Sequence, residues 1–220
     1  MSDGPRFPRL EFSFDEDSHT YQVESRGKVP GCTRILDQGG LVSFDHVNRD
    51  ILERKSELGR EAHKACHLYN QKKAFTCDEQ VRGYLNSWIE TSRRLNFVPR
   101  LSEQRQIATV NGMLYGMQID VEGLIQNEET IGDLKIGQVG PHHGIQLAGY
   151  AAGLYHPRLE TPIGRFRSRK RIGFQLQEDG TLAKIHRFED KSDFDVFVSA
   201  LFICYWKMKH ENFYKGDLLP

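Results

Sequence analysis

Asp133 and Lys135 lie two positions apart in the run Gly132-Asp133-Leu134-Lys135. On a β-strand, where side chains alternate with period 2, both occupy one face. Asp120 precedes them on what reads as the neighbouring strand, and Gln146 and Tyr150 follow. Two acids and a lysine on one sheet face are the ingredients of metal-dependent phosphodiester hydrolysis. Carboxylate oxygens hold a hard cation such as Mg²⁺ or Mn²⁺, and the cation lowers the pKa of bound water. The lysine stabilises the attacking hydroxide or the charge developing on phosphorus. The main-chain carbonyl of Leu134 offers a further oxygen ligand.

The turn signals sharpen this placement. Asn111-Gly112 is a two-residue hairpin signal that sets Val110 opposite Met113 and Glu103 opposite Asp120. A second turn centred on Asn127 and Glu128 would set Asp120 opposite Lys135. Opposed residues share a face, so Glu103, Asp120, Asp133 and Lys135 are all expected to point one way. The plain alternative is a solvated, charged sheet face. Against it, Glu103 beside Asp120 costs stability unless a cation lies between them. Ile131, Leu134 and Ile136 also point to a strand buried on its other side.

Around this sheet the pattern predicts an amino-terminal hairpin, with strands at Leu10 to Phe14 and Thr20 to Val23. Pro30-Gly31 breaks the chain before Thr33 to Leu36. A helical stretch capped by Ser43 runs towards Leu68, divided or not at Gly59. A second helix covers about Asp78 to Leu95, with Val81, Leu85, Trp88 and Ile89 on one face. Strands at Leu101 to Val110, Met113 to Leu124 and Thr130 to Ile136 precede a helix at Gly144 to Tyr155. A hairpin then pairs Phe166 to Gln177 with Leu182 to Phe188. A last helix starts near Ser192, capped with Asp195. No linker divides the 220 residues, so one α/β domain is expected, with a central mixed β-sheet flanked by helices. Its parts are a lead-in (1–40), a helical part (41–98), the catalytic sheet (99–190) and a final helix (191–220).

Lysine plus arginine equals aspartate plus glutamate, 30 each, so any nucleic-acid footprint must be local. Cys32, Cys66, Cys77 and Cys204 form no C-x-x-C pair and read as buried thiols of a reducing compartment. Residues 1–9 carry no signal-peptide core. The apolar run Val196 to Trp206 is too short to span a bilayer. A soluble, cytoplasmic protein is expected, with no membrane partner.

With these residues in view, the chain resembles a RecB-type member of the PD-(D/E)XK nuclease superfamily, close to its small stand-alone phage-type and mitochondrial-type exonucleases. The resemblance runs through Tyr115-Gly-Met-Gln-Ile-Asp120, Ile131-Gly-Asp-Leu-Lys135, Gln146-Leu-Ala-Gly-Tyr150 and Gly59-Arg-Glu-Ala-His63, with Glu103 on the strand before Asp120. Val29-Pro-Gly-Cys-Thr-Arg-Ile-Leu36 is similar to the family's amino-terminal P-S-V-T-x-I-L, with Cys32 and its neighbours in place of Ser-Val. The resemblance covers roughly residues 19–155 and implies a restriction-endonuclease-like core. It implies Mg²⁺ or Mn²⁺ held by Asp120, Asp133, the Leu134 carbonyl, His63 and Glu103. Lys135 is implied to assist the nucleophile, and Gln146 and Tyr150 to orient lysine or substrate. It further implies exonuclease action on DNA, at single-stranded or duplex ends, in recombination, repair or phage DNA processing, with a helicase or recombination partner.

Other features weigh less. His67 follows His63 by one helical turn and could pair with it on zinc, but no second ligand cluster completes such a site. His142-His143 lies in the loop before the Gln146 helix and could touch substrate phosphate, with a solvated loop as the plainer reading. Only Cys204 lies late in the chain, so no iron–sulfur cluster is expected, and no phosphate-binding helicase loop occurs. Arg165, Arg167, Arg169 and Arg171 would share one strand face, either as a phosphate-tracking stripe or as a charged edge that resists aggregation. Phe166 and Tyr115 could stack on bases or fill the core. Two other functions stay open: a catalytically silent nucleic-acid-binding or assembly module on the same fold, and a structure-specific endonuclease.

Overall fold

Trp88 has no solvent exposure and sits edge-on to Phe97 and Phe174, at 5.5 and 5.3 Å between centroids. Its indole N–H donates to Asn70 at 2.9 Å, so the ring is buried without an orphaned donor. This cluster fixes the helical part against the sheet. The architecture comes from a computed structural model that describes residues 10–16, 20–24, 26–42, 49–156 and 158–211, with backbone only at 49–53.

Three short strands, β1 (Phe12–Asp15), β2 (Thr20–Val23) and β3 (Gly27–Val29), form an antiparallel sheet in that order. It packs through Tyr21, Val23 and Val29 onto Ile107 and Leu114. The expected hairpin is present, and β3 extends it. Helix α1 (Cys32–Gln38) follows Pro30-Gly31. Helix α2 (Arg49–Asn70) runs unbroken through Gly59, while its expected cap, Ser43, lies outside the described residues. Helix α3 (Glu79–Arg94) is capped by Asp78, which accepts the Gln80 N–H, satisfying a donor that the first turn leaves free.

The second sheet contains β4 (Val98–Val110), β5 (Met113–Ile125), β6 (Glu128–Lys135), β7 (Lys170–Gln175) and β8 (Lys184–Arg187), adjacent in that order. It is mixed: β6 and β7 run parallel and the other neighbours antiparallel. Helices α4 (Pro141–Gly153) and α5 (Pro162–Arg167) fill the crossover between the parallel strands, and α6 (Asp193–Lys209) ends the described fold. One face of the sheet packs Ile119 and Ile131 against α1, α4 and α6; the other packs Val121, Leu134 and Phe174 against α2 and α3. The chain is therefore α/β, with helices on both sides of the mixed sheet. Among the described residues no helix is long and apolar enough to cross a membrane.

Several elements differ from expectation. The β5–β6 turn is Gln126-Asn127, both with positive φ, which shifts that register by two residues. Ile131 shares the Asp133 face, and Leu134 and Ile136 cover the opposite one. Residues 162–167 are helical, because Thr161 accepts the Gly164 N–H and Pro162 starts the turn. The helix before them begins at Pro141, so His142 and His143 lie in its first turn. Ser192 makes no capping bond; its hydroxyl turns back to Asp190.

Candidate metal centre

The β4–β5 hairpin places Glu103 beside Asp120. Val110 pairs with Met113 across Asn111-Gly112, and the register stays unbroken from there to Ser102↔Val121. Glu103 itself has φ 48, a left-handed conformation costly for a non-glycine residue. At this level the alternation changes phase: Tyr115, Met117 and Ile119 pack towards α4, whereas Val121 and Ile125 pack towards α3. The β5–β6 ladder ends at Val121↔Gly132. Beyond that rung Asp120 accepts the Leu134 N–H at 2.8 Å, which opens a fork between the two strands. Asp133 is the residue opposite Asp120, not Lys135 as expected. A two-residue shift preserves parity, so Lys135 still reaches the fork.

Helix α2 delivers His63 into this fork. Its Nδ1 is 3.0 Å from Glu103 Oε1 and 3.6 Å from Asp120 Oδ1, and its Nε2 is 2.7 Å from the Leu134 carbonyl. Ligand atoms of His63, Glu103 and Asp120 all lie within 4.8 Å of one another. Lys135 Nζ donates to Asp133 Oδ1 at 2.7 Å and lies 4.0 Å from Asp120. Asp133 is 1% exposed, and its Oδ2 is buried without a hydrogen-bond partner.

The electrostatics follow from three acids around two cations. Burial opposes a charge on His63, but Asp120 and the bond to Glu103 outweigh it, raising its pKa to about 9. Burial would raise the Glu103 carboxyl, yet the His63 bond holds it below its ordinary value. Burial raises the Asp133 carboxyl, with Lys135 opposing. Burial also opposes a charge on Lys135, but Asp133 and Asp120 overcome it and raise its pKa. Lys135 is thus an ammonium at neutral pH, suited to stabilising negative charge and not to abstracting a proton.

The remaining predicted residues divide. Gln146 and Tyr150 meet on one face of α4, with Gln146 Nε2 donating to the Tyr150 hydroxyl at 2.6 Å. The four arginines do not form a stripe, because Arg165 and Arg167 lie on α5 while Arg169 and Arg171 belong to the following turn and strand. Three of them are buried. Arg165 and Arg169 donate to carbonyls at the carboxyl end of α4, and Arg171 donates to the carbonyls of Gly144 and Asp190 and pairs with Asp193. Their guanidiniums are engaged by helix and loop carbonyls inside the fold, and only Arg167 is exposed. Tyr115 and Phe166 are buried in the core, so neither presents a ring to a base. His143 is buried and accepts the Gly140 N–H at 2.9 Å, fixing the start of α4.

Sequence reasoning missed Gln118. Its Nε2 donates to Glu103 Oε2 at 2.6 Å and its Oε1 accepts from Arg105 at 3.0 Å. Its position two before Asp120 on the same strand was the available signal.

No family model matches this sequence, and no curated protein matches it. A solved structure described as the crystal structure of SSO0001 is 15% identical, covering 55% of this chain and 56% of that one with a TM-score of 0.30. At that score the likeness carries no argument, and it spans about half the length of either chain.

The residues at the fork fit a hard cation. Glu103, Asp120, Asp133 and the Leu134 carbonyl offer oxygen atoms, and His63 offers nitrogen. The orphaned Asp133 Oδ2 is a buried acceptor that a cation would satisfy.

Proposed function

We propose that this chain is a metal-dependent deoxyribonuclease that hydrolyses phosphodiester bonds, acting as an exonuclease on DNA ends or single-stranded DNA. The observation that carries the reading is the convergence of His63, Glu103 and Asp120 within 4.8 Å, next to the buried Asp133–Lys135 pair. The resemblance of five motifs to RecB-type PD-(D/E)XK nucleases supports the same reading. A phosphodiester, being anionic, needs positive charge at the phosphoryl oxygens and a hydroxide near neutral pH. When bound, Mg²⁺ or Mn²⁺ supplies Lewis acidity and lowers the pKa of a coordinated water.

Asp120 and Asp133 hold the cation, with His63, Glu103 and the Leu134 carbonyl completing its shell. Lys135, kept charged by Asp133, faces the reacting phosphoryl group and stabilises developing negative charge. Gln146 and Tyr150 brace each other and orient the lysine or the substrate strand. Recombination, repair or phage DNA processing, with a helicase or recombination partner, is the setting this reading implies.

The test is a time course on end-labelled linear single-stranded and duplex DNA and on closed circles, with Mg²⁺, Mn²⁺ or EDTA. Metal-dependent loss of linear DNA, absent in Asp133→Ala and sparing circles, is the expected outcome. Cleavage of circles would make the protein an endonuclease. DNA binding with no cleavage under any condition would leave a binding module on this fold.

A further inference from the structure

Helix α6 buries one face and leaves the other in water. Phe197, Leu201 and Cys204 point inward and pack into the core with residues of α1 and α4. The opposite stripe, with the three- and four-residue spacing of a single helix face, reads Asp195, Ser199, Phe202, Trp206 and Lys209, all exposed. Phe202 is 61% exposed, the highest value for a large apolar side chain among the described residues, and Ile203 beside it is 41% exposed. The Trp206 ring lies against His210, 4.5 Å between centroids. Single exposed apolar side chains are ordinary, but adjacent ones on one helix face, two of them aromatic, mark a contact surface.

The charges on this stripe select its partner. Asp195 lies seven residues before Phe202 and Lys209 seven after it, about two helical turns each way. An acid early and a base late suit the dipole of any helix. Here they also bracket the apolar centre symmetrically, so the face is complementary to itself turned end for end. Two copies of α6 laid antiparallel about a two-fold axis through Phe202 stack Phe202 on Phe202 and set each Asp195 against the other copy's Lys209. Each Trp206 then falls at the level of Val198 and Ser199, where the short serine side chain leaves room. We infer that this chain forms a two-fold homodimer through the outward face of α6, an interface in which one patch meets itself. An anionic membrane surface would instead favour cations along the whole polar flank, and Asp195 opposes that. One helix against one helix covers less than the ~800 Å² per partner of a standard interface, so the dimer is a weak one, forming at micromolar concentrations. The cation site takes no part in it, so the dimer and the nuclease reading stand or fall separately.

Sedimentation equilibrium on the full chain, from about 1 to about 200 µM, tests this. The expected result is a mass that rises with concentration from that of one chain to that of two. Phe202→Glu places two carboxylates on the axis and should stay monomeric across the range while melting like wild type, because the position is exposed. Asp195→Lys sets lysine against lysine at both ends of the pair and should weaken association by about tenfold or more. Adding Lys209→Asp reverses both charges and should return the affinity close to that of wild type. A wild type that stays monomeric throughout overturns the inference, and if it then sediments with phosphatidylserine vesicles the face belongs to a membrane. Association that survives Phe202→Glu, or a folded double variant no tighter than Asp195→Lys alone, overturns it as well.

Discussion

The Asp120 carboxylate accepts the Leu134 N–H at 2.8 Å, just beyond the last rung of the β5–β6 ladder at Val121↔Gly132. A side chain replaces a backbone acceptor there, and the strands part around it. The main chain of Leu134 is held on both sides of its Cα, with its carbonyl facing His63 Nε2 at 2.7 Å. Leu134 thus couples the sheet to helix α2 through its two flanking peptide groups, and Asp120 is positioned by the same bond that ends the ladder.

Asp120→Asn separates the two roles of that residue. The amide oxygen can still accept the Leu134 N–H, so the metal-free protein should melt within a few degrees of wild type. Cation-linked stabilisation should disappear. In wild type, Mn²⁺ a hundredfold above its Kd should add about 2.7 kcal/mol, read as a thermal shift. An equal shift in Asp120→Asn would remove this carboxylate from the cation site.

The buried arginines should behave as structural groups. Arg171→Met removes one partner from a buried pair with Asp193 and the donors to the Gly144 and Asp190 carbonyls. A cost of roughly 3–5 kcal/mol in urea unfolding is expected. Arg167→Ala, at an exposed position, should stay within about 0.5 kcal/mol. A large loss of DNA affinity in Arg167→Ala, with stability intact, would restore a phosphate-binding role to this segment.

The site was legible because strand parity survives a register error of two. Misplacing the β5–β6 turn changed which residue faces Asp120 but left Asp133 and Lys135 on the same side. The arginine segment was not legible from alternation, since spacing of two reads as a strand wherever no start signal is weighed. Thr161-Pro162 was such a signal, an N-cap followed by proline. The left-handed Glu103 and the change of phase at Asp120 had no sequence signature, because they arise where two strands crease together.

Gly149 lies between Gln146 and Tyr150, and an added Cβ would come within 2.4 Å of the Phe197 ring on α6. Gly149→Ala gains helix propensity but overpacks the α4–α6 contact. A net loss of roughly 1–3 kcal/mol is expected, because Phe197 is fully buried and cannot swing aside. Calorimetric melting at or above the wild-type temperature would show that α6 yields at this contact.

His63 links pH to stability and to cation binding with opposite signs. Its pKa rises from 6.5 to about 9 on folding. In the metal-free protein its stabilising contribution is therefore complete below pH ~6.5 and is lost as pH rises through ~9. The loss should be on the order of 3 kcal/mol, and His63→Gln should abolish that part of the pH dependence. Cation ligation needs the neutral ring. Affinity should therefore rise about tenfold per pH unit towards pH 9 and level off above it. Competition with a fluorescent Mn²⁺ indicator between pH 6.5 and 9, alongside urea melts in EDTA over the same range, measures both trends. An affinity independent of pH would remove His63 from the shell while leaving its ion pair with Glu103 in place.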